Sequence, residues 1–335
     1  MFREAAQAAD AVRLQLASNL PLVELLGGRV REFAPRAVVT CARGSSDHAA
    51  TFARYLIETR AGVLTSHAAP SVSSLYAMQP DLEAVLFVAI SQSGESPDLL
   101  AATSAAREAG ALVLAFVNAD GSPLSRTAHH TIPLHAGEET SVAATKSYIA
   151  SLAAIVHFVA AWTRDRSLED ALARAPDQLA QAWLLDWSAA IPAFRAADSL
   201  YVIGRGLGLG IAREAALKFK ETCGLHAEAF SAAELRHGPF ALVRPGFPVL
   251  VFAQHDETHA GVEDVAGELH RAGATVALAG SRLPGVLALP ALSAHPSIEP
   301  MLMIQSFYRF ANALAIARDR DPDHPPHLRK ITETV

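Results

Sequence analysis

The stretch Ile90-Ser91-Gln92-Ser93-Gly94-Glu95-Ser96 follows the apolar run 84–89 and precedes a helical pattern over 97–109. An apolar, β-branched run that stops at a Ser/Gly turn and resumes with helical periodicity reads as strand, tight loop, helix N-terminus. That geometry gathers free backbone N–H groups and the positive end of a helix dipole at one point. Three serine hydroxyls and one amide add neutral hydrogen bonds, without the lysine of a P-loop. Such a loop suits a phosphate monoester on a small molecule better than a nucleoside triphosphate with its metal. An ordinary turn with serine as N-cap gives the same local pattern, so the rest of the chain has to decide.

Working outward, the chain repeats itself. An apolar strand, an Arg-Gly turn and an Ala-rich helix occur over 39–58 and again over 202–220, with Arg43-Gly44 matching Arg205-Gly206 at an offset of 162. The same offset carries the serine loop onto Ala253-Gln254-His255-Asp256-Glu257-Thr258, behind the apolar run 249–252. Further on, 109–113 finds 272–276 one residue out of step. Three βα units in register mark a duplicated α/β domain. Strands are expected near 37–40, 63–66, 84–90, 112–117 and 130–132, then near 199–203, 226–229, 249–252, 275–279 and 285–289. Strands alternating with helices give a parallel sheet covered on both faces, with ligands beyond the carboxyl ends of the strands. The polar segment 162–179 reads as the connection, partly helical. The second copy has lost the serines and gained Asp256 and Glu257, which a phosphate dianion avoids, so phosphate binding is expected in the first half alone.

Composition narrows the class. The 335 residues suffice for two domains, half of them apolar and a fifth charged. A net charge of −6 and the absence of any Lys/Arg run argue against a nucleic-acid surface. Cys41 and Cys223 form no metal-ligand or disulfide pattern, which suits a reducing cytoplasm. The N-terminal 1–15 reads as an amphipathic helix rather than a signal peptide. The apolar stretch 148–162 is too short to span a bilayer and reads as a buried helix. No membrane partner is expected.

In the second half, the helical pattern 211–222 puts Glu214, Lys218 and Glu221 on one face. Periodicity alone leaves two readings open, a solvated salt-bridged face or a site beside the Gly-rich turn 204–208. The following segment 225–239 holds Glu228, Glu234, His226 and His237 in largely apolar company. Its His-x-Glu pair lacks the downstream Pro-Cys-x-x-Cys of zinc deaminases, so no metal is expected. Glycines at 204, 206, 208 and 210 miss the G-x-G-x-x-G spacing, so no dinucleotide cofactor is expected either. The polar, Pro-rich 319–335 reads as disordered on composition.

Four segments together resemble the sugar isomerase (SIS) domain family, specifically the paired SIS domains of glucosamine-6-phosphate synthase. They are Ser91 to Ser96, Glu139-Thr140-Ser141-Val142-Ala143-Ala144-Thr145-Lys146, Glu214 through Pro239, and Asp321 to Lys330. The resemblance implies two tandem SIS domains, 29–165 and 190–326, with a C-terminal tail 327–335 over the active site. It implies that Ser45, Ser91, Gln92, Ser93 and Ser96 hold the phosphate, with Ser46 and Val142 near the sugar; Lys218 is placed with these binding residues. Glu221 would move a proton between C1 and C2, His237 would assist ring opening, and Lys330 would contact the open-chain sugar. His237 would come from a neighbouring subunit of a homodimer. The chain opens Met1-Phe2-Arg3 without the glutaminase cysteine, so it is expected to resemble most the stand-alone SIS-type glucosamine-6-phosphate deaminases. A fructosamine-6-phosphate deglycase or another phosphosugar isomerase is the alternative, and a non-catalytic phosphosugar sensor a third.

Overall fold

A computed structural model describes residues 1–76, 78 and 80–330; residues 331–335 of the expected tail lie outside them. The chain forms two compact units. The first-half unit holds Asp10–Glu139, Lys146–Ala173 and, from the tail, Arg329 and Lys330. The second-half unit holds Met1–Ala9, Thr140–Thr145 and Arg174–Leu328. The units therefore divide the chain at other places than 29–165, 190–326 and 327–335. The N-terminal residues and the 140–145 loop leave their sequence neighbours because hydrogen bonds described below hold them to the second half.

In the first-half unit, β1 (Ala37–Cys41), β2 (Thr65–His67), β3 (Val85–Ser91), β4 (Leu112–Val117) and β5 (His130–Pro133) form one sheet in the order β2-β1-β3-β4-β5. Every pairing is parallel. All seven residues of β3 are buried, as a central strand covered on both faces requires. One face packs Leu99, Ala102 and Ala106 of the Pro97–Glu108 helix onto Val85, Phe87 and Val113. The expected buried helix extends over Lys146–Thr163. It packs closely on the helix Ala8–Phe33, where a Cβ on Gly27 would stand 2.7 Å from the Ala161 backbone.

The second-half unit repeats the plan. Strands β6 (Ser199–Gly204), β7 (His226–Ser231), β8 (Pro248–Phe252), β9 (Thr275–Ala279) and β10 (Leu287–Leu289) lie in the order β10-β9-β8-β6-β7, all parallel. Read from the other edge, this is the order of the first sheet. Its core includes Tyr201, Val249, Val251, Val265, Leu269 and Leu278. The catalytic-helix candidate runs from Gly208 to Cys223, three residues longer at its start than the periodicity suggested. Two elements differ more from the sequence reading. The N-terminal helix breaks at Gln7, giving Phe2–Ala6 and Ala8–Phe33, and a helix Glu299–Ala317, buried along most of its length, had no counterpart. Residues 319–330 form no helix or strand, yet their side chains make specific contacts. Among the described residues no helix is long and apolar enough to cross a membrane.

Candidate active site

In an open parallel sheet of this kind the strand order reverses at one place, between β1 and β3 in the first half and between β6 and β8 in the second. Ligands bind there because the loops on either side diverge and leave a crevice. In the first half the crevice is flanked by the Arg43-Gly44-Ser45-Ser46 turn and the Ser91–Ser96 loop. Arg43 ties them together, its Nε 2.7 Å and its Nη2 2.5 Å from Oδ2 of the buried Asp98. Two helix N-termini, at Ser45 and Pro97, thus flank one crevice.

The serine loop is built to expose donors. Its carbonyls at Ser91, Gln92 and Gly94 accept bonds from Asn118, Ala119 and Leu124 N–H groups, which fixes the opposite edge of the loop outward. Ser91 Oγ accepts from Gly94 N at 2.9 Å and Ser93 Oγ from Glu95 N at 3.3 Å. Ser96 caps the Pro97–Glu108 helix by position, but its side chain makes no capping bond. Gly94 has φ +67, and a Cβ there would lie 2.4 Å from Ser122 Oγ, so only glycine lets the turn close this tightly. Gln92, Ser93, Ser96, Ser45 and Ser46 are all half-buried.

In the second half, the face predicted from spacing is a charged triad. Lys218 is fully buried, with its Nζ 3.3 Å from Glu214 Oε1 and 2.5 Å from Glu221 Oε2. Tyr308 donates to Glu214 Oε1 at 3.1 Å. Burial pushes the Lys218 ammonium toward neutrality, but the two carboxylates outweigh it and raise its pKa. A permanently cationic lysine therefore sits beneath Glu221, and the solvated-face reading of the helix is excluded. Of the three, Glu221 alone reaches a cavity of about 570 Å³, whose wall also includes Thr222, Asp319, Asp321, His324 and Pro326.

The other sequence-derived residues are distributed as follows. His237, after the 3-10 turn Glu234–Arg236, is exposed, with no ring hydrogen bond among the described residues, and does not line the Glu221 cavity. Val142 is half-buried in the 140–145 loop. Lys330 sits 3.5 Å from Glu139 Oε2, and Glu139 is itself buried and accepts the Ser147 hydroxyl at 2.5 Å. Three functional candidates were missed. Asp98 meets Arg43 and Glu139 meets Lys330 only through the fold, 55 and nearly 200 positions away. Gln254 occupies the second crevice and is described in the Discussion. Cys41 and Cys223 are buried free thiols, pushed up by burial to about 12 and about 11, so neither is a thiolate at neutral pH.

One α/β unit thus carries a serine-lined crevice, and the other, on the same strand order, carries a carboxylate over a buried lysine. The SIS domain profile matches residues 34–161 and 193–282, and the chain belongs to the SIS domain family. The isomerizing glutamine–fructose-6-phosphate aminotransferase of Aeropyrum pernix is 39% identical over 312 residues, covering 87% of this chain and 50% of that protein. A candidate phosphosugar isomerase from Silicibacter pomeroyi DSS-3 superposes with a TM-score of 0.93 at 41% identity, over 96% of this chain and 99% of that one. The C-terminal domain of glucosamine-fructose-6-phosphate aminotransferase from Francisella tularensis gives 0.89 at 26% identity, over 96% and 97%. The chain spans about half the length of the curated relatives it matches.

Proposed function

We propose that this protein is a phosphosugar aldose–ketose isomerase whose substrate carries an amine, converting glucosamine 6-phosphate to fructose 6-phosphate and ammonia. The observation that carries the reading is Glu221, a carboxylate at a cavity wall held from below by the buried Lys218 ammonium. Aldose–ketose interconversion needs one such base, able to take a proton from C2 and return it to C1 without a metal. Lys218 fixes its direction through the 2.5 Å hydrogen bond to Oε2. The same cavity wall pairs Asp319 and Asp321 with Lys220 and Arg320, a polar lining suited to a hydrophilic sugar. The serine crevice of the first half suits the phosphate.

The chemistry balances with water alone. Proton removal from C2 of the open-chain amino aldose gives an enolamine, and protonation at C1 gives an imine at C2. Water adds to that carbon and ammonia leaves, giving the ketose phosphate. Ring opening calls for a side chain that can both give and take a proton at the ring oxygen. His237 fills that role in the proposal, delivered from a second copy of the chain, since it does not line the cavity of its own Glu221. Lys330, held by Glu139, would act on the open chain.

The similarity to a candidate phosphosugar isomerase supports a second reading, isomerisation without loss of nitrogen. Incubation with glucosamine 6-phosphate and, in a parallel reaction, with glucose 6-phosphate, with ammonia and fructose 6-phosphate followed in both, separates the two. Equimolar appearance of both products is expected. Interconversion of glucose and fructose 6-phosphates without ammonia release would replace the deaminase reading with the isomerase one.

A further inference from the structure

The 140–145 loop has no strand or helix to satisfy its backbone. Its donors are met instead by one side chain from the far N-terminus. Glu4 Oε1 accepts from Thr140 N at 2.6 Å, Thr140 Oγ1 at 3.1 Å and Ser141 N at 3.3 Å. The Ser141 hydroxyl in turn donates to Asp323 Oδ1 at 2.8 Å, and the Met1 nitrogen bonds both Ser141 Oγ and Asp323. Three stretches of chain, around residues 1–4, 141 and 323, therefore meet at Ser141, between the carboxylates of Glu4 and Asp323.

The anchor behind Glu4 is firm. Phe2 packs on Trp183 with ring centroids 4.8 Å apart, and Ala5 O accepts from Gln305 Nε2 at 3.0 Å. Burial works against a charge at Glu4, but the bonds from Ser141 and Thr140 outweigh it and hold its carboxyl at about 2. The acceptor is thus ionised at any physiological pH, and hydrogen bonds to a carboxylate are the stronger kind. Ser141 immediately precedes Val142, and His324, next to Asp323, lines both the Glu221 cavity and the one bordered by Glu4, Thr140 and Ser141.

We infer that Glu4 is a positioning residue for substrate binding: its carboxylate sets the Thr140–Ser141 backbone, and through it Val142, and joins this loop to the 319–328 segment. The inference rests on the reading that places Val142 at the sugar. Glu4 lines a different cavity from Glu221, so its effect should fall on binding rather than on the proton transfer at Glu221.

The test compares Glu4→Ala with Glu4→Gln in the full chain, because Gln keeps a carbonyl acceptor at the same reach. Loss of one charge-assisted bond set should raise KM for glucosamine 6-phosphate about tenfold in Glu4→Ala, with kcat nearly unchanged and Glu4→Gln intermediate. Amide hydrogen exchange should accelerate at Thr140 and Ser141 while the Gly208–Cys223 helix keeps its protection. Unchanged exchange at those two amides, or acceleration spread over the whole chain with kcat falling, overturns the inference. If the parent protein turns over no phosphosugar, the proposed function fails by itself, and the exchange at Thr140 and Ser141 still decides whether Glu4 holds the loop.

Discussion

The two switch points of this molecule have the same strand order and opposite contents. Between β1 and β3, Gln92 is half-exposed and the crevice is rimmed by serine hydroxyls. Between β6 and β8, the matching Gln254 is fully buried. Its Nε2 donates to Arg205 O at 2.7 Å and to Asp256 Oδ2 at 3.0 Å, bridging the two loops. It fits because Gly208 faces it, where a Cβ would stand 2.3 Å from Gln254 Oε1. The first half has Ser46 at the position matching Gly208, and Arg43 turns to Asp98, which has no acidic counterpart in the second half. His255, replacing Ser93, gives its Nδ1 to the buried Glu299 at 3.0 Å. One crevice is left open and neutral, and the other is closed by its own side chains. Duplication followed by filling of one copy lets the second half devote the following helix to the Glu214–Lys218–Glu221 triad.

The largest expected effect tests that division directly. Glu221→Gln keeps shape and hydrogen bonding to Lys218 but removes basicity. We expect kcat to fall by about two to four orders of magnitude, the usual range for a lost general base, with little change in KM. Solvent exchange of the C2 proton, followed by NMR on glucosamine 6-phosphate, checks it. Exchange continuing at the parental rate would place the base elsewhere, and the second half would lose its assigned role.

That all ten strands were legible follows from the duplication. Runs such as 84–90 and 249–252 are apolar without interruption, and the Arg-Gly turns at 43 and 205 fix their ends, so each half corrects the reading of the other. The helix Glu299–Ala317 was not legible because it is buried on nearly every side and shows no one-faced pattern. The tail was misleading for the opposite reason. Its composition is that of a disordered segment, and what orders residues 319–330 is contact with Ser141 and Glu139, far away in sequence. Within the candidate site, spacing revealed the triad because its members share a helix. The Arg43–Asp98 pair and the filling of the second crevice by Gln254 are contacts between loops, and no local pattern encodes them.

The halves should also differ in acid. The first-half unit buries His157 within the Lys146–Thr163 helix, and its Nδ1 has no hydrogen-bond partner. Burial lowers its pKa to about 4. The neutral form is thus favoured on folding, so its contribution is complete above the unfolded value near 6.5 and is lost as pH falls toward 4. A shift of this size corresponds to roughly 3 kcal/mol. Urea unfolding at pH 7 and pH 4.5, followed by amide exchange on the β3 and β8 strands, should show the first half weakening preferentially. His157→Gln should abolish that preference. Equal weakening of both strands in the parent protein would remove this distinction between the halves.

The smallest effects come from matched changes in the two loops. Ser93→Ala removes one hydroxyl from the open crevice, and a hydrogen bond to a charged group is worth about 1.5–3 kcal/mol. Because Ser93 shares its oxygen with Glu95 N, the lower end is expected, about a tenfold rise in KM for a sugar phosphate. His255→Asn is the counterpart change, with the Asn amide able to donate to Glu299 in place of Nδ1. It should leave KM within about twofold, since Asp256, Glu257 and Glu299 make that loop hostile to a dianion. Inorganic phosphate, titrated as a competitor against each variant, gives the same comparison without the sugar. Ser93→Ala should weaken phosphate inhibition and His255→Asn should not. If His255→Asn weakens it as much as Ser93→Ala does, both crevices hold phosphate, and the filled crevice of the second half has to open to do so.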